Sequence, residues 1–146
     1  MNYELTKQLK KAGFPQEPTI ELPNSFEENQ IRGGFYSTFP TEGGCGGVVW
    51  LNYIEYLEYL KKKGWTTIKY PTLSELIYEC MKPIGESDNR QGFRLEAEMF
   101  DRDGQLSLEW RASREIRMGD FGLRPEEAVA NLYLSFTNPS PAKGEN

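Results

Sequence analysis

The chain has 146 residues, of which 38% are hydrophobic and 27% are charged, a composition typical of one folded domain and not of a disordered or bilayer-spanning chain. The formal net charge of −5 disfavours general binding to nucleic acid or anionic lipid, because an acidic surface repels phosphate groups. The absence of histidine excludes Ser-His-Asp and Cys-His catalysis and any histidine-containing zinc site within this chain.

The first predicted element is a helix over residues 3–12, because Leu5 and Leu9 share one face and Gly13 ends the pattern. Three prolines in the following residues, up to about 30, predict an irregular connector. The polar start lacks the apolar segment of a secretory signal, and two cysteines are too few for a disulfide scaffold. We therefore expect a cytoplasmic protein.

Residues 31–39 combine aromatic residues with glycines and predict a strand. The glycine-rich run at 42–47 predicts an irregular loop, because glycine loses much conformational entropy in a regular element. Residues 48–50 fit either a short strand or the entrance to the helix that follows.

A tyrosine-rich helix is predicted over residues 52–63, with Asn52 as its N-cap and Gly64 after its last turn. Its apolar residues cover an arc of about 220°, roughly twice the stripe that a surface helix needs. Either the helix is buried between two layers, or part of its aromatic edge is an interface, to a partner or to a second copy. The interface interpretation assigns partner binding to Trp50, Tyr53, Tyr56 and Tyr59.

Residues 65–70 predict a further strand, after which a helix begins with the pattern of a capping box, Thr72 and Glu75. In that pattern the threonine hydroxyl accepts from the glutamate amide, and the carboxylate accepts from the threonine amide. Cys80 lies on the apolar face of this helix, and we interpret it as a small buried hydrophobic residue.

Two stretches, 93–99 and 106–112, alternate apolar and polar residues and predict an antiparallel hairpin with one solvated face. Residues 101–104 predict a hairpin turn and not a calcium site, because their glycine comes at an earlier position than the glycine of an EF-hand loop. Glutamates on the polar face raise the alternative of a two-carboxylate hydrolase, although cross-strand ion pairing explains them. The polar-face residues are Arg94, Glu96, Glu98, Glu109 and Arg111.

After a predicted loop at 114–123, Pro125 fits the first position of a final helix, and residues 138–146 predict a flexible tail. We predict one globular domain over 1–137, with an enlarged loop and helix segment at about 17–64. The fold class is α+β, a small antiparallel sheet of about three to five strands with about three or four helices packed mainly on one face. The predicted core comprises Leu5, Leu9, Leu73, Leu76, Ile77, Leu95, Leu108, Trp110, Val129, Leu132 and Phe136.

The glycine run offers a second kind of site, since exposed backbone amides bind anions. It lacks the Gly-Lys-Ser/Thr ending of a P-loop, so a loop without a ligand is the alternative. If it binds a nucleotide-like ligand, the residues expected to hold that ligand are Arg32, Phe35, Tyr36, Gly44, Cys45 and Gly46.

Three segments of the chain carry a resemblance: residues 3–16, which end in Ala-Gly-Phe-Pro-Gln, residues 70–77, and residues 125–134. In these segments the chain resembles a group of small uncharacterised proteins from phages, prophages and bacteria. The resemblance implies a capped helix, a β-hairpin with a tryptophan, which Trp110 matches, a final helix, and a phage or mobile-element setting. It implies no catalytic activity.

We therefore expect a non-enzymatic phage or mobile-element accessory protein that binds a host or phage protein, as a modulator or inhibitor, through an aromatic surface. The alternative is an oligomer that sequesters a small molecule or nucleotide at the glycine-rich loop. A carboxylate-based hydrolase is the weakest of the three. The sequence assigns no catalytic residue, metal or cofactor.

Overall fold

The computed structural model describes residues 1–19, 30–38, 47–82, 92–115 and 117–137. Within these residues the fold has four helices and two small antiparallel sheets, which confirms the predicted α+β class. None of the described helices has the length and hydropathy that a bilayer-spanning segment needs. In chain order the elements are α1 (Tyr3–Lys11), β1 (Gln30–Thr38), β2 (Val48–Tyr53), α2 (Ile54–Lys62), β3 (Thr66–Lys69), α3 (Leu73–Cys80), β4 (Phe93–Arg102), β5 (Gln105–Arg114), β6 (Arg117–Met118) and α4 (Pro125–Thr137).

The strands form two sheets where the sequence predicted one. The first sheet has the order β2-β1-β3, and the second has the order β4-β5-β6. In the first sheet β1 is the central strand and pairs antiparallel with both neighbours. The enlarged segment at 17–64 thus contains two strands as well as the tyrosine-rich helix. The two strands, β1 and β2, pair with each other, and β1 also pairs with β3. Because neither pairs with the hairpin, the described strands form two sheets instead of one.

The capping box at the start of α3 is confirmed. The Thr72 side chain accepts from the Glu75 amide at 3.2 Å, and the Glu75 carboxylate accepts from the Thr72 amide at 2.9 Å. The predicted N-cap of α2 is wrong. Asn52 lies inside β2, and the residue before the helix is Tyr53, whose side chain makes no capping hydrogen bond.

The predicted β-hairpin is confirmed, with ten residue pairs in continuous register from Phe93–Arg114 to Arg102–Gln105. The two turn residues, Asp103 and Gly104, both have positive φ, which defines a type I′ turn. Asp101 stabilises the turn, since its carboxylate accepts from the Gly104 amide at 2.8 Å.

The segment predicted as a loop at 114–123 is partly a strand. β5 continues to Arg114, and β6 pairs with its end. A Cβ atom at Gly119 would lie 2.5 Å from the Leu132 amide nitrogen, and one at Gly122 would lie 2.9 Å from the Ala128 amide nitrogen. These two glycines therefore allow the backbone of α4 to pack directly on this segment.

In the part of the chain that the structure describes, two hydrophobic clusters hold the fold together. The main core joins α1, α3 and α4 to the base of the hairpin. The minor core lies between α2 and β1 and contains Ile31, Phe35 and Leu57, with Ile54 packed against it. The buried residues of the main core are Met1, Leu9, Phe14, Leu76, Cys80, Ala112, Ala128, Val129, Ala130, Leu132 and Tyr133.

Ten of the eleven predicted core residues lie in or against the main core. The exception is Leu108, whose side chain is 47% exposed. Alternation assigns Leu108 correctly to the apolar face of the hairpin. Its position is nonetheless too close to the turn for the helices to cover it.

Candidate functional site

Three tyrosines form a row along the exposed side of α2 and the residue before it, which we call the tyrosine stripe: Tyr53, Tyr56 and Tyr59. The side chains of Tyr56 and Tyr59 are each 58% exposed, while Leu57 on the opposite side of the helix is buried. The rings of Tyr53 and Tyr56 are in edge contact, with centroids 5.9 Å apart. Because α2 buries only one side, its wide apolar arc is not explained by burial between two layers.

The structure does not bring Trp50 into the tyrosine stripe. Trp50 pairs with Tyr36 across the first sheet, so the two side chains lie on the same face. α2 covers the other face, where Leu57 packs in the minor core with Phe35. Trp50 is 48% exposed, and its indole ring lies against Gly34, where a Cβ atom would be 2.7 Å from the ring.

The aromatic residues expected to clamp a ligand beside the glycine-rich loop do not form a clamp. Phe35 is 1% exposed and packs in the minor core, so its burial corrects the expectation that its ring stacks on a ligand. Tyr36 faces the opposite side of the sheet and contacts the rings of Tyr3 and Tyr70. The backbone amide of Arg32 donates to the Thr19 carbonyl at 2.7 Å. Gly44, Cys45 and Gly46 lie outside the described residues.

A second exposed apolar area, which sequence reasoning missed, lies on the turn end of the hairpin. We call this part, residues 96–111, the hairpin arm. Leu106 is 74% exposed and Met99 is 59% exposed; Met99 pairs directly with Leu108 across the strands. The alternating pattern predicts one apolar face but not how far along it the core extends.

The opposite, polar face of the arm is organised by stacked arginine and phenylalanine side chains. The guanidinium of Arg102 lies 4.7 Å from the Phe100 ring centroid, and that of Arg111 lies 4.3 Å from the Phe121 centroid. The two phenylalanine rings are in edge contact at 4.9 Å. A groove of about 510 Å³ runs beside this stack, lined by residues that include Arg94, Glu96, Glu98, Arg111 and Phe121.

Two carboxylates of the polar face, those of Glu96 and Glu109, form ion pairs with arginine side chains of the hairpin. Arg102 donates two hydrogen bonds to Glu109, at 2.9 and 3.1 Å, and these hold the pKa of Glu109 below its usual value. A general acid of a glycosidase needs a raised pKa. Among the described carboxyl groups, the two with a clearly shifted pKa, Glu75 and Glu109, are both lowered.

A buried ion pair lies beneath a cavity of about 340 Å³ between the 14–19 segment and α3. The Lys69 side chain is 5% exposed and its ammonium lies 2.6 Å from a Glu75 oxygen. The same ammonium donates to the Glu17 carbonyl at 2.7 Å and to the Thr19 hydroxyl at 3.3 Å. Its three protons are thus occupied, so this cluster joins chain segments and does not present a free cation.

Burial alone raises the pKa of Glu75, but hydrogen bonds from Lys69, from the Thr72 amide and from Thr19 outweigh it and hold the pKa below its usual value. The sequence signals this cluster only weakly. The capping box by itself accounts for Glu75, and Lys69 is one polar residue in a short predicted strand. Only the fold brings the 16–19 connector against both of them.

Cys80 is fully buried, and burial raises the pKa of its thiol to about 12, as expected for a packing residue. Buried Arg114 donates from its guanidinium to the Cys80 carbonyl at 3.1 Å and to the Lys82 carbonyl at 2.8 Å, at the C-terminal end of α3. This second buried cation therefore caps a helix. No metal-binding group of three or more acidic or thiol side chains occurs in the described part of the chain.

Comparison with known proteins adds no relative: no family model, curated protein or solved structure matches this chain.

Proposed function

We propose that this chain is a non-enzymatic protein-binding module, an accessory protein of a phage or mobile element that modulates or inhibits a host or phage protein. The observation that carries the proposal is the exposure of Tyr56 and Tyr59 on a helix whose opposite side is buried. Tyrosine loses little conformational entropy on binding and is enriched among the residues that dominate interface energies.

The neighbours of the tyrosine stripe indicate what kind of surface it fits. Lys61, Lys62 and Lys63 follow at the end of α2, and the Lys63 ammonium lies 5.5 Å from the Tyr59 ring centroid. A partner groove with an apolar floor and carboxylates at one end would accommodate the rings and pair with the lysines. The proposal places this binding in the cytoplasm, in keeping with the low cysteine content of the chain.

The proposal is tested by affinity capture from cells that carry the phage or element, with captured proteins quantified by mass spectrometry. Replacing Tyr56 and Tyr59 with serine is expected to abolish capture of the partner, because the stripe provides its contact surface. The matched control is Tyr78→Ser, since Tyr78 is 63% exposed on a different helix, α3. Equal capture by the double variant and the wild type would reject the tyrosine stripe as the binding site.

A further inference from the structure

β4 is an edge strand of the second sheet, and its outer edge pairs with no other described strand. Natural proteins protect long edge strands with charged side chains, above all lysine, with proline or with a β-bulge. β4 contains neither proline nor lysine, and its ten pairs with β5 show no register shift. The protection of this edge, which is about 33 Å long, therefore rests on its charged side chains, and their order decides what can pair with it.

The turn determines which backbone groups of β4 point outward. A type I′ turn is closed by a hydrogen bond between its first and fourth residues, here Arg102 and Gln105. Hydrogen bonding to β5 alternates from that pair, so it falls on the even-numbered residues of β4. The Glu115 amide donates a hydrogen bond to the carbonyl of Gly92, an even-numbered residue just before β4, which agrees with this alternation. The amides and carbonyls of Leu95, Ala97, Met99 and Asp101 therefore point away from β5.

From this edge we propose that two copies of the chain dimerise by antiparallel pairing of their β4 strands about a two-fold axis. The occupant of the edge is a second copy because the charges of β4 are self-complementary in one long register. With Met99 on the axis, Glu96 lies opposite Arg102 of the second copy at both ends of the ladder. In this register no like charges are opposite each other.

Neighbouring registers are disfavoured by the same residues. With Glu96 or Glu98 on the axis, that glutamate lies opposite its own copy, and with Ala97 on the axis Glu96 lies opposite Glu98. Axes closer to either end of β4 leave a shorter ladder. With Phe100 on the axis Glu98 lies opposite Arg102, but only residues 98–102 of β4 pair, against residues 96–102 with Met99 on the axis. Charge and ladder length together therefore select the register centred on Met99.

The register also accounts for exposed side chains of the hairpin arm. It places the two Met99 side chains opposite each other, each already next to Leu108 in its own chain. The Arg102 side chain is 59% exposed although it is bonded to Glu109. Its guanidinium has further donors, which can bind the Glu96 carboxylate of the second copy. The dimer is a continuous sheet in the order β6-β5-β4-β4-β5-β6. This surface is separate from the tyrosine stripe, so the inference goes beyond the proposed function.

The test measures the dimer dissociation constant of the full chain by analytical ultracentrifugation, where the wild type is expected at twice the chain mass of 16.8 kDa. Glu96→Arg places like charges opposite each other at both ends and is expected to raise the dissociation constant about tenfold or more. The matched control is Glu98→Arg, the same change two residues along the same face, which lies opposite Phe100 and is expected to leave the dimer intact. A wild type that remains monomeric at near-millimolar concentration overturns the proposal. It is also overturned if Glu98→Arg weakens the dimer more than Glu96→Arg does, or if neither variant has an effect.

A cross-linking experiment tests the register independently. In a Cys45→Ser background, Met99→Cys places two thiols at the axis with Cα atoms about 5.5 Å apart, within disulfide range. Ala97→Cys places its two thiols about 13 Å apart along the strands. Mild oxidation is expected to cross-link the first variant and not the second, and the reverse result overturns the register. Partner capture and self-association are separate readouts, so failure of one proposal is distinguishable from failure of the other.

Discussion

The buried pair of Lys69 and Glu75 allows a quantitative test of how the fold is held together. Glu75→Gln retains an acceptor at the third position of α3, where glutamine also supports a capping box, but it removes the negative charge. The Lys69 ammonium, 5% exposed, would then remain buried without a counter-charge. Removal of one partner from a buried pair costs about 3–5 kcal/mol. We expect a loss of about 3 kcal/mol, the low end, because the Glu17 carbonyl and Thr19 hydroxyl still accept from the ammonium.

Lys69→Met removes the charge while retaining a linear side chain, and we expect it to cost about 2 kcal/mol because Glu75 keeps its bonds from Thr72 and Thr19. The double variant leaves no unpaired buried charge. Its cost is therefore expected to fall below the sum of the single costs by about 2 kcal/mol. Urea denaturation followed by circular dichroism measures the free energy of unfolding of each variant.

The control variant is Glu4→Gln, because the Glu4–Lys7 pair is exposed on both sides and such pairs contribute less than about 1 kcal/mol. The reasoning is refuted if the losses in free energy of unfolding of the two single variants add up in the double variant. It is also refuted if Glu75→Gln costs as little as Glu4→Gln.

The pH dependence of the free energy of unfolding provides a further check. The pKa of Glu75 is lowered in the folded state, so its contribution is present above about pH 4.3, the ordinary value, and is lost as pH falls through the folded pKa. Glu75→Gln is expected to lack this component of acid unfolding.

Three further predictions concern packing. Gly119→Ala is expected to lower the free energy of unfolding by about 2 kcal/mol or more, because its Cβ would lie 2.5 Å from the Leu132 amide nitrogen of α4. The control in the same denaturation assay is Gly47→Ala, whose Cβ would meet nothing within 4 Å and whose φ, like that of Gly119, lies outside the left-handed range; equal losses in the two variants would contradict the clash. In a Cys45→Ser background we expect the Cys80 thiol to react with a thiol reagent at neutral pH only as fast as the protein unfolds, because the thiol is buried and its pKa is raised to about 12. Rapid labelling of the folded protein would contradict this burial. Trp110→Ala is expected to lower the free energy of unfolding by about 2 kcal/mol, less than for a fully buried tryptophan, because the ring packs against the main core but is only half-buried. An unchanged melting temperature would contradict this placement.

Local signals in the sequence were sufficient for much of the fold. The capping box of Thr72 and Glu75 involves residues three positions apart, and the hairpin turn is defined by consecutive residues, so each pattern contains all of its own partners. Alternation likewise identified the correct face of each residue in 93–99 and 106–112. Leu108 was misplaced because burial depends on how far the helices reach along the hairpin, a property of the whole fold.

The candidate site depended on one local ambiguity. Residues 48–50 were compatible with a strand or a helix entrance, and the two alternatives place Trp50 on different sides of the chain. In a helix successive side chains are rotated by about 100°, and this rotation would place Trp50 next to the tyrosine stripe. In β2 successive side chains alternate by 180°, and Trp50 faces away from α2. The pairing of β2 with β1, a contact distant in sequence, determines the outcome. The bonds of Lys69 to the 17–19 connector depend on similarly distant contacts, which no local pattern specifies.

The unequal size of the two cores has a consequence for motion. Among the described residues, α2 is attached mainly through Leu57 and Ile54 to Ile31 and Phe35, whereas α4 is anchored in a cluster of eleven buried residues. Regions with few buried contacts open by sub-global fluctuations that cost less free energy than complete unfolding. Backbone amides of α2 should therefore exchange with deuterium faster than those of α4. The helix that carries the tyrosine stripe can thus loosen and re-form while the main core remains folded, which would let the stripe adjust to the shape of the partner that we propose.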